Sequence, residues 1–179
     1  MRTFRIVMAT VLATLLLIVV AAAAVVFSGA YDVAADAPHT AVIAKLIAYA
    51  REQSIESRAS AVSVPPLNNP KMIAEGAEHY AAMCTGCHLA PGMHENEMRP
   101  GLNPKPPVLA ALPPGDPGEQ FWIINHGIKM TAMPAWGKSH SEEEIWNMVA
   151  FLQKLPGMSP AQYRALTRNA EMNHDHMRN

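Results

Sequence analysis

The pentapeptide CTGCH, residues 84–88, carries both cysteines of a 179-residue chain and sets a histidine directly after the second of them. Two thiols three positions apart can close a disulfide, run thiol exchange, hold a metal or anchor a cofactor, and the rest of the chain decides among these. Residues 6–27 read IVMATVLATLLLIVVAAAAVVF, 22 residues without a charge. At about 1.5 Å of helical rise per residue the run reaches about 33 Å, enough for a bilayer core of about 30 Å and longer than the apolar core of a signal peptide, about 7–15 residues. Arg2 and Arg5 precede it, and no basic residue follows before Lys45. The positive-inside rule then leaves residues 1–5 in the cytoplasm and exports the remainder. Residues 6–27 are expected to stay as a transmembrane anchor; the alternative is a long signal cleaved near Ser28-Gly29-Ala30. Either way the CTGCH motif lies outside the cytoplasmic membrane.

That location narrows the cysteine question. A bare CxxC in an oxidising compartment tends to close into a disulfide. Thiol exchange of the thioredoxin kind needs a βαβ pattern around the motif, and a structural zinc site needs further Cys or His ligands at short spacing. The sequence offers neither. His88 completes C-x-x-C-H, the attachment signature of c-type haem, in which two thiols on one helical turn bond the porphyrin edge and the adjacent imidazole falls beneath the iron. A second axial ligand must come from elsewhere. The chain has 12 methionines, and most fill gaps on helices; Met72 and Met148, on apolar helical faces, are expected in the core. Met133 differs. It lies in KMTAMPAWG, 45 residues after His88, where Pro134 forbids a helix and favours an extended loop able to reach the other haem face. Met130 is its neighbouring rival.

CTGCH followed by MPAWG resembles the class I (monohaem) cytochromes c of the short bacterial type, over residues 65–156. The resemblance implies an all-α helical fold around one covalent haem c, held by Cys84 and Cys87 with His88 and Met133 as iron ligands. It also implies a crossing of the N- and C-terminal helices at Gly76 and Tyr80, eight and four residues before Cys84. In that family a proline carbonyl usually holds the ligating histidine's other nitrogen. RPGLNPKPP offers Pro100, Pro104, Pro106 and Pro107, and the sequence leaves the choice open.

Local signals point to the same architecture. Asn69-Pro70 is an N-cap followed by proline at the first helical position, and Met72, Gly76, Tyr80 and Cys84 form one stripe of the helix it opens. Prolines and glycines between Leu89 and Pro114 make an ordered loop. Asp116 with Glu119 opens a short helix that Gly127 closes; Ser141 with Glu144 opens another whose Ile145, Met148, Val149 and Leu152 share a face. Trp122, Trp136 and Trp146 are expected to line the haem pocket and the helix interfaces, with the Trp136 indole near a propionate as a more specific option. His126 and His140 are read as surface or hydrogen-bonding residues rather than rival ligands.

Residues 28–64 are expected to form an amphipathic helical spacer, with Val42, Ile43, Leu46, Ile47, Tyr49 and Ala50 on one side. Packing on the haem domain and docking to a partner at the membrane are its alternatives. Residues 65–157 form the cytochrome domain and 158–179 a C-terminal tail; its polar stretch RNAEMNHDHMRN, residues 168–179, is expected to be disordered, and His174 and His176 within it suggest no more than adventitious metal binding. A net charge of −1 gives nucleic acid no electrostatic footing. The functional expectation is a tethered electron carrier, not an enzyme, in the bacterial inner membrane: single-pass, haem domain in the periplasm, serving redox protein partners or a membrane respiratory complex. The alternatives are a haem c subunit of a larger oxidase or dehydrogenase and, behind it, a peroxidase-like haem enzyme.

Overall fold

The computed structural model describes the backbone of residues 1–177 and the side chains of residues 1–168, and the described residues form helices and no strand. The chain divides into two compact units, Met1–Ala37 and Pro38–Asn179. The first is built on α1 (Arg2–Ser28), a 27-residue helix with mean hydropathy 2.8 over its most apolar stretch and none of that stretch buried within the protein. An apolar surface of that length and exposure fits a bilayer, where every backbone group of a helix is satisfied internally.

The second unit begins with α2 (Ala41–Ala59). Ile55 and Ala59 are buried, and the helix lies against α5 (Pro117–His126), where Gly118 brings its backbone near the Ala59 carbonyl. The buried side is not the apolar face read from the sequence. Val42, Leu46, Ile47 and Tyr49 are all more than half exposed. Only the last turns of α2 reach the domain, so its N-terminal turns present that face outward.

The core forms between α3 (Pro70–Met83), α6 (Glu142–Leu152) and α7 (Pro160–Met177). Asn69 caps α3 by accepting from Lys71 N at 2.9 Å, with Pro70 beginning the helix. Ser141 and Glu144 cap α6 reciprocally, with the Glu144 carboxylate accepting from Ser141 N and the Ser141 hydroxyl accepting from Glu144 N. This contact holds the Glu144 carboxyl below the usual range. α3 and α6 cross at Gly76, where a Cβ would run into the Asn147 carbonyl. Ile145, Met148, Val149 and Phe151 fill the crossing against Ala77 and Tyr80. Phe121 of α5 stacks on Trp146 of α6, ring centroids 4.3 Å apart.

The C-terminal tail forms a helix, α7, that runs through Met177 and so into the polar stretch expected to be disordered. Ser159 and Gln162 cap α7 reciprocally, and Tyr163 and Thr167 are buried, with the Tyr163 ring edge-on to Tyr80. The Ser-x-x-Gln pattern with proline between is a helix start that the polarity of the later residues obscured. His174 and His176 lie outside the residues whose side chains are described.

Gly76→Ala sets a methyl group against a backbone carbonyl that no rotamer change can move. We expect a loss of about 1–3 kcal/mol or more in unfolding free energy, read as a lower denaturant midpoint of the haem-loaded protein at unchanged m-value.

Candidate haem site

The motif turn continues directly from α3. Cys84 N donates to Tyr80 O at 2.9 Å, and Cys87 N and His88 N both donate to Cys84 O, forming the short helix α4 (Thr85–His88). Both cysteines are free thiols and half-buried. Burial, with a smaller contribution from Cys87, pushes the Cys84 thiol up to about 12, so it stays protonated.

Leu89 ends the turn with φ 60 and ψ 163, a backbone region almost reserved for glycine and costing about 1–3 kcal/mol elsewhere. Two contacts hold it there. Its side chain is buried, and its carbonyl accepts from Tyr80 Oη at 2.6 Å. Burial raises the Tyr80 hydroxyl far above its ordinary value, which keeps it a donor. The chain therefore turns sharply away just beyond His88.

The open question of the proline carbonyl has a definite answer. His88 Nδ1 lies 2.9 Å from Pro107 O, the bond that fixes the imidazole with Nδ1 as donor and leaves Nε2 for a metal. Burial lowers the His88 pKa; the Pro107 bond opposes this, and the Arg99 charge adds to it. A neutral imidazole is the form that ligates.

Met133 sits on a separate loop after α5, half-buried against the core, while Met130 is 98% exposed. Three backbone details position that loop. Gly127 adopts φ 66 and ψ −172, and a Cβ there would come within 2.8 Å of the Met133 carbonyl and closer still to Pro134 and Ala135. Ile128 N donates to Met133 O at 3.1 Å, and the Thr131 hydroxyl donates to Ile128 O while accepting from Met133 N. The 3₁₀ turn Trp136–Lys138 follows, and the Trp136 ring meets His140 edge-on at 5.4 Å. Trp122 tilts against His126, whose ring is also hydrogen-bonded to Asn125, and the His140 ring is hydrogen-bonded to Ser139. The two histidines thus have the hydrogen-bonding roles expected of them. Among the described residues no cluster of three or more His, Cys, Asp or Glu side chains could hold a metal ion by itself.

Sequence reasoning missed Arg99, a charged side chain only 5% exposed on the loop facing the motif. The signal was faint: a single arginine four residues after Glu95, in a stretch whose prolines offer few backbone donors.

An all-α domain holding two free thiols on one helical turn, an imidazole with one nitrogen engaged, and a thioether on a pinned loop fits a covalently attached haem. These features define a c-type cytochrome. Residues 71–152 match the family model for cytochrome c oxidase, cbb3-type, subunit III, and this part of the chain is a monohaem class I cytochrome c domain. Its cofactor is covalently bound haem c, and its chemistry is haem-based electron transfer. No curated protein and no solved structure gives a match.

Gly127→Ala tests the loop. An alanine must leave the glycine region or push the Met133–Ala135 backbone away, and we expect about 1–3 kcal/mol of destabilisation by chemical denaturation.

Proposed function

We propose that this protein is a membrane-tethered electron carrier whose haem c is attached through Cys84 and Cys87 and ligated by His88 and Met133, on the periplasmic side of a bacterial inner membrane. The observation that carries the ligand assignment is the contrast between the two loop methionines: Met133 is half-buried on a hydrogen-bonded loop, Met130 almost fully exposed. Haem c, when bound, supplies an iron that gains and loses one electron, and His/Met ligation favours a raised potential. The chain's part is to hold still. Pro107 fixes the His88 ring, and Gly127 and Thr131 fix the Met133 backbone, so little rearrangement accompanies a change of charge.

The exposed apolar α1 supports the tether, and the basic residues Arg2 and Arg5 before it support export of the domain. Residues 65–157 carry a net charge of −3, which mildly favours redox partners with basic docking faces. A second reading, a haem c subunit of a larger oxidase or dehydrogenase, is favoured by the match to an oxidase subunit model. A peroxidase-like activity needs a vacant or labile axial position and ranks behind both.

Met133→Ala should abolish the red charge-transfer band of sulfur-bound ferric iron, admit carbon monoxide or cyanide, and lower the potential by a sizeable part of the about 0.8 V that axial ligands span. Met130→Ala should leave all three unchanged. Retention of the band in Met133→Ala with its loss in Met130→Ala would reverse the assignment. An unmodified protein that lacks the band and binds carbon monoxide freely would favour the enzymatic reading.

The tether is checked separately. The haem protein should fractionate with membranes and begin at or near Met1; a soluble product starting near Tyr31 would show a cleaved signal.

A further inference from the structure

Arg99 carries a guanidinium into a place where few charges go. At 5% exposure it pays a large desolvation cost, which only close partners offset. It has three. Nε donates to Cys87 O at 2.9 Å, Nη2 to Pro106 O at 2.6 Å, and Nη1 to the Glu95 carboxylate at 2.7 Å. Glu95 is held from its other oxygen by Lys105 at 2.9 Å, and these two partners keep its carboxyl below the usual range. Asn96 completes the link: its Nδ2 donates to Gly86 O at 2.7 Å and its Oδ1 accepts from Arg99 N.

These bonds have one geometric consequence. Gly86 and Cys87 lie in the last turn of the motif helix, and no further helix follows to donate to their carbonyls. Pro106 immediately precedes Pro107, the acceptor for His88 Nδ1. Both residues have φ held by their rings, so fixing the Pro106 carbonyl restricts the direction of the Pro107 carbonyl. A single side chain therefore ties the backbone beside the imidazole to the backbone that accepts its proton.

We propose that Arg99, held by Glu95, is a positioning residue that sets the His88 Nδ1–H to Pro107 O bond and through it the orientation of the ligating imidazole. The inference rests on His88 being an iron ligand, as proposed above. The planar fork of arginine matters beyond its charge, because an ammonium offers no comparable rigid pair of donors for two separate carbonyls.

The test uses the haem-loaded full chain and its Arg99→Met, Arg99→Lys and Glu95→Gln variants. Hydrogen exchange of the His88 Nδ1 proton is followed by NMR through its haem-shifted resonance, alongside the potential and the denaturant midpoint. We expect exchange to accelerate about tenfold or more in Arg99→Met, the factor corresponding to about 1.4 kcal/mol of lost hydrogen-bond restraint. Arg99→Lys should exchange nearly as fast yet hold its potential closer to that of the unmodified protein, since it keeps the charge. Glu95→Gln should fall between. If Arg99→Met does not fold, the lysine and glutamine variants decide. Exchange unchanged in every folded variant, whatever the loss of stability, overturns the positioning role while leaving His88 a ligand. Absence of a haem-shifted His88 resonance from the unmodified protein overturns the ligand assignment, and this inference with it.

Discussion

The Asn147 carbonyl occupies the space in which any side chain at position 76 would begin. Because Gly76 has none, α3 and α6 approach closely enough for Ile145, Met148 and Phe151 to close over Ala77 and Tyr80. The motif turn is the direct continuation of α3, so the position of Cys84, Cys87 and His88 in the domain is inherited from this crossing. Tyr80 conveys it further. One helical turn after Gly76, its ring lies against Phe151 and Tyr163 and its hydroxyl fixes the carbonyl of Leu89.

The CTGCH turn and the Met133 loop are held by different means. On the histidine side the chain is constrained by hydrogen bonds across a proline-rich loop, from His88 to Pro107 and from Arg99 to Cys87 and Pro106. On the methionine side the constraint is steric as well: Gly127 faces the Met133–Ala135 backbone at a separation that leaves no room for a side chain. Strain at Leu89, directly after His88, is sustained by burial of its side chain and by the Tyr80 bond to its carbonyl. Under the ligation proposed above, a haem that changes charge would meet two backbones already locked by the protein's own contacts.

α2 behaves differently from the helices of the core. Its final turns are buried through Ile55 and Ala59, whereas Val42, Leu46, Ile47 and Tyr49 near its start remain outward. Apolar periodicity marks those residues as one side of a spacer helix, with packing on the haem domain as one alternative. Periodicity identifies a helix with a preferred side, but which side meets the protein depends on the shape of the surface it meets. Here Gly118 lets α5 lie close to the Ala59 backbone and selects the other side.

Much of this protein was legible from residues close in sequence, because the interactions involved are local. The apolar helix α1, the caps at Asn69, Asp116 and Ser141, the glycine that ends α5 and the spacing of CTGCH each depend on neighbours within one or two turns. The all-α class follows from them, and so does the haem signature. Contacts made across the chain were not legible. Four prolines were equivalent candidates for the His88 partner until folding brought Pro107 O to 2.9 Å from Nδ1. The polar stretch from residue 168 carries no packing signal of its own, and the helix it continues is held on α3 by Tyr163 and Thr167, which precede it. Nothing in the sequence singled out Arg99, whose partners, Glu95 and two carbonyls, are supplied only by the folded loop. In each case the deciding free energy comes from burial and hydrogen bonding between segments brought together only by the tertiary fold, and a linear pattern records nothing of that proximity.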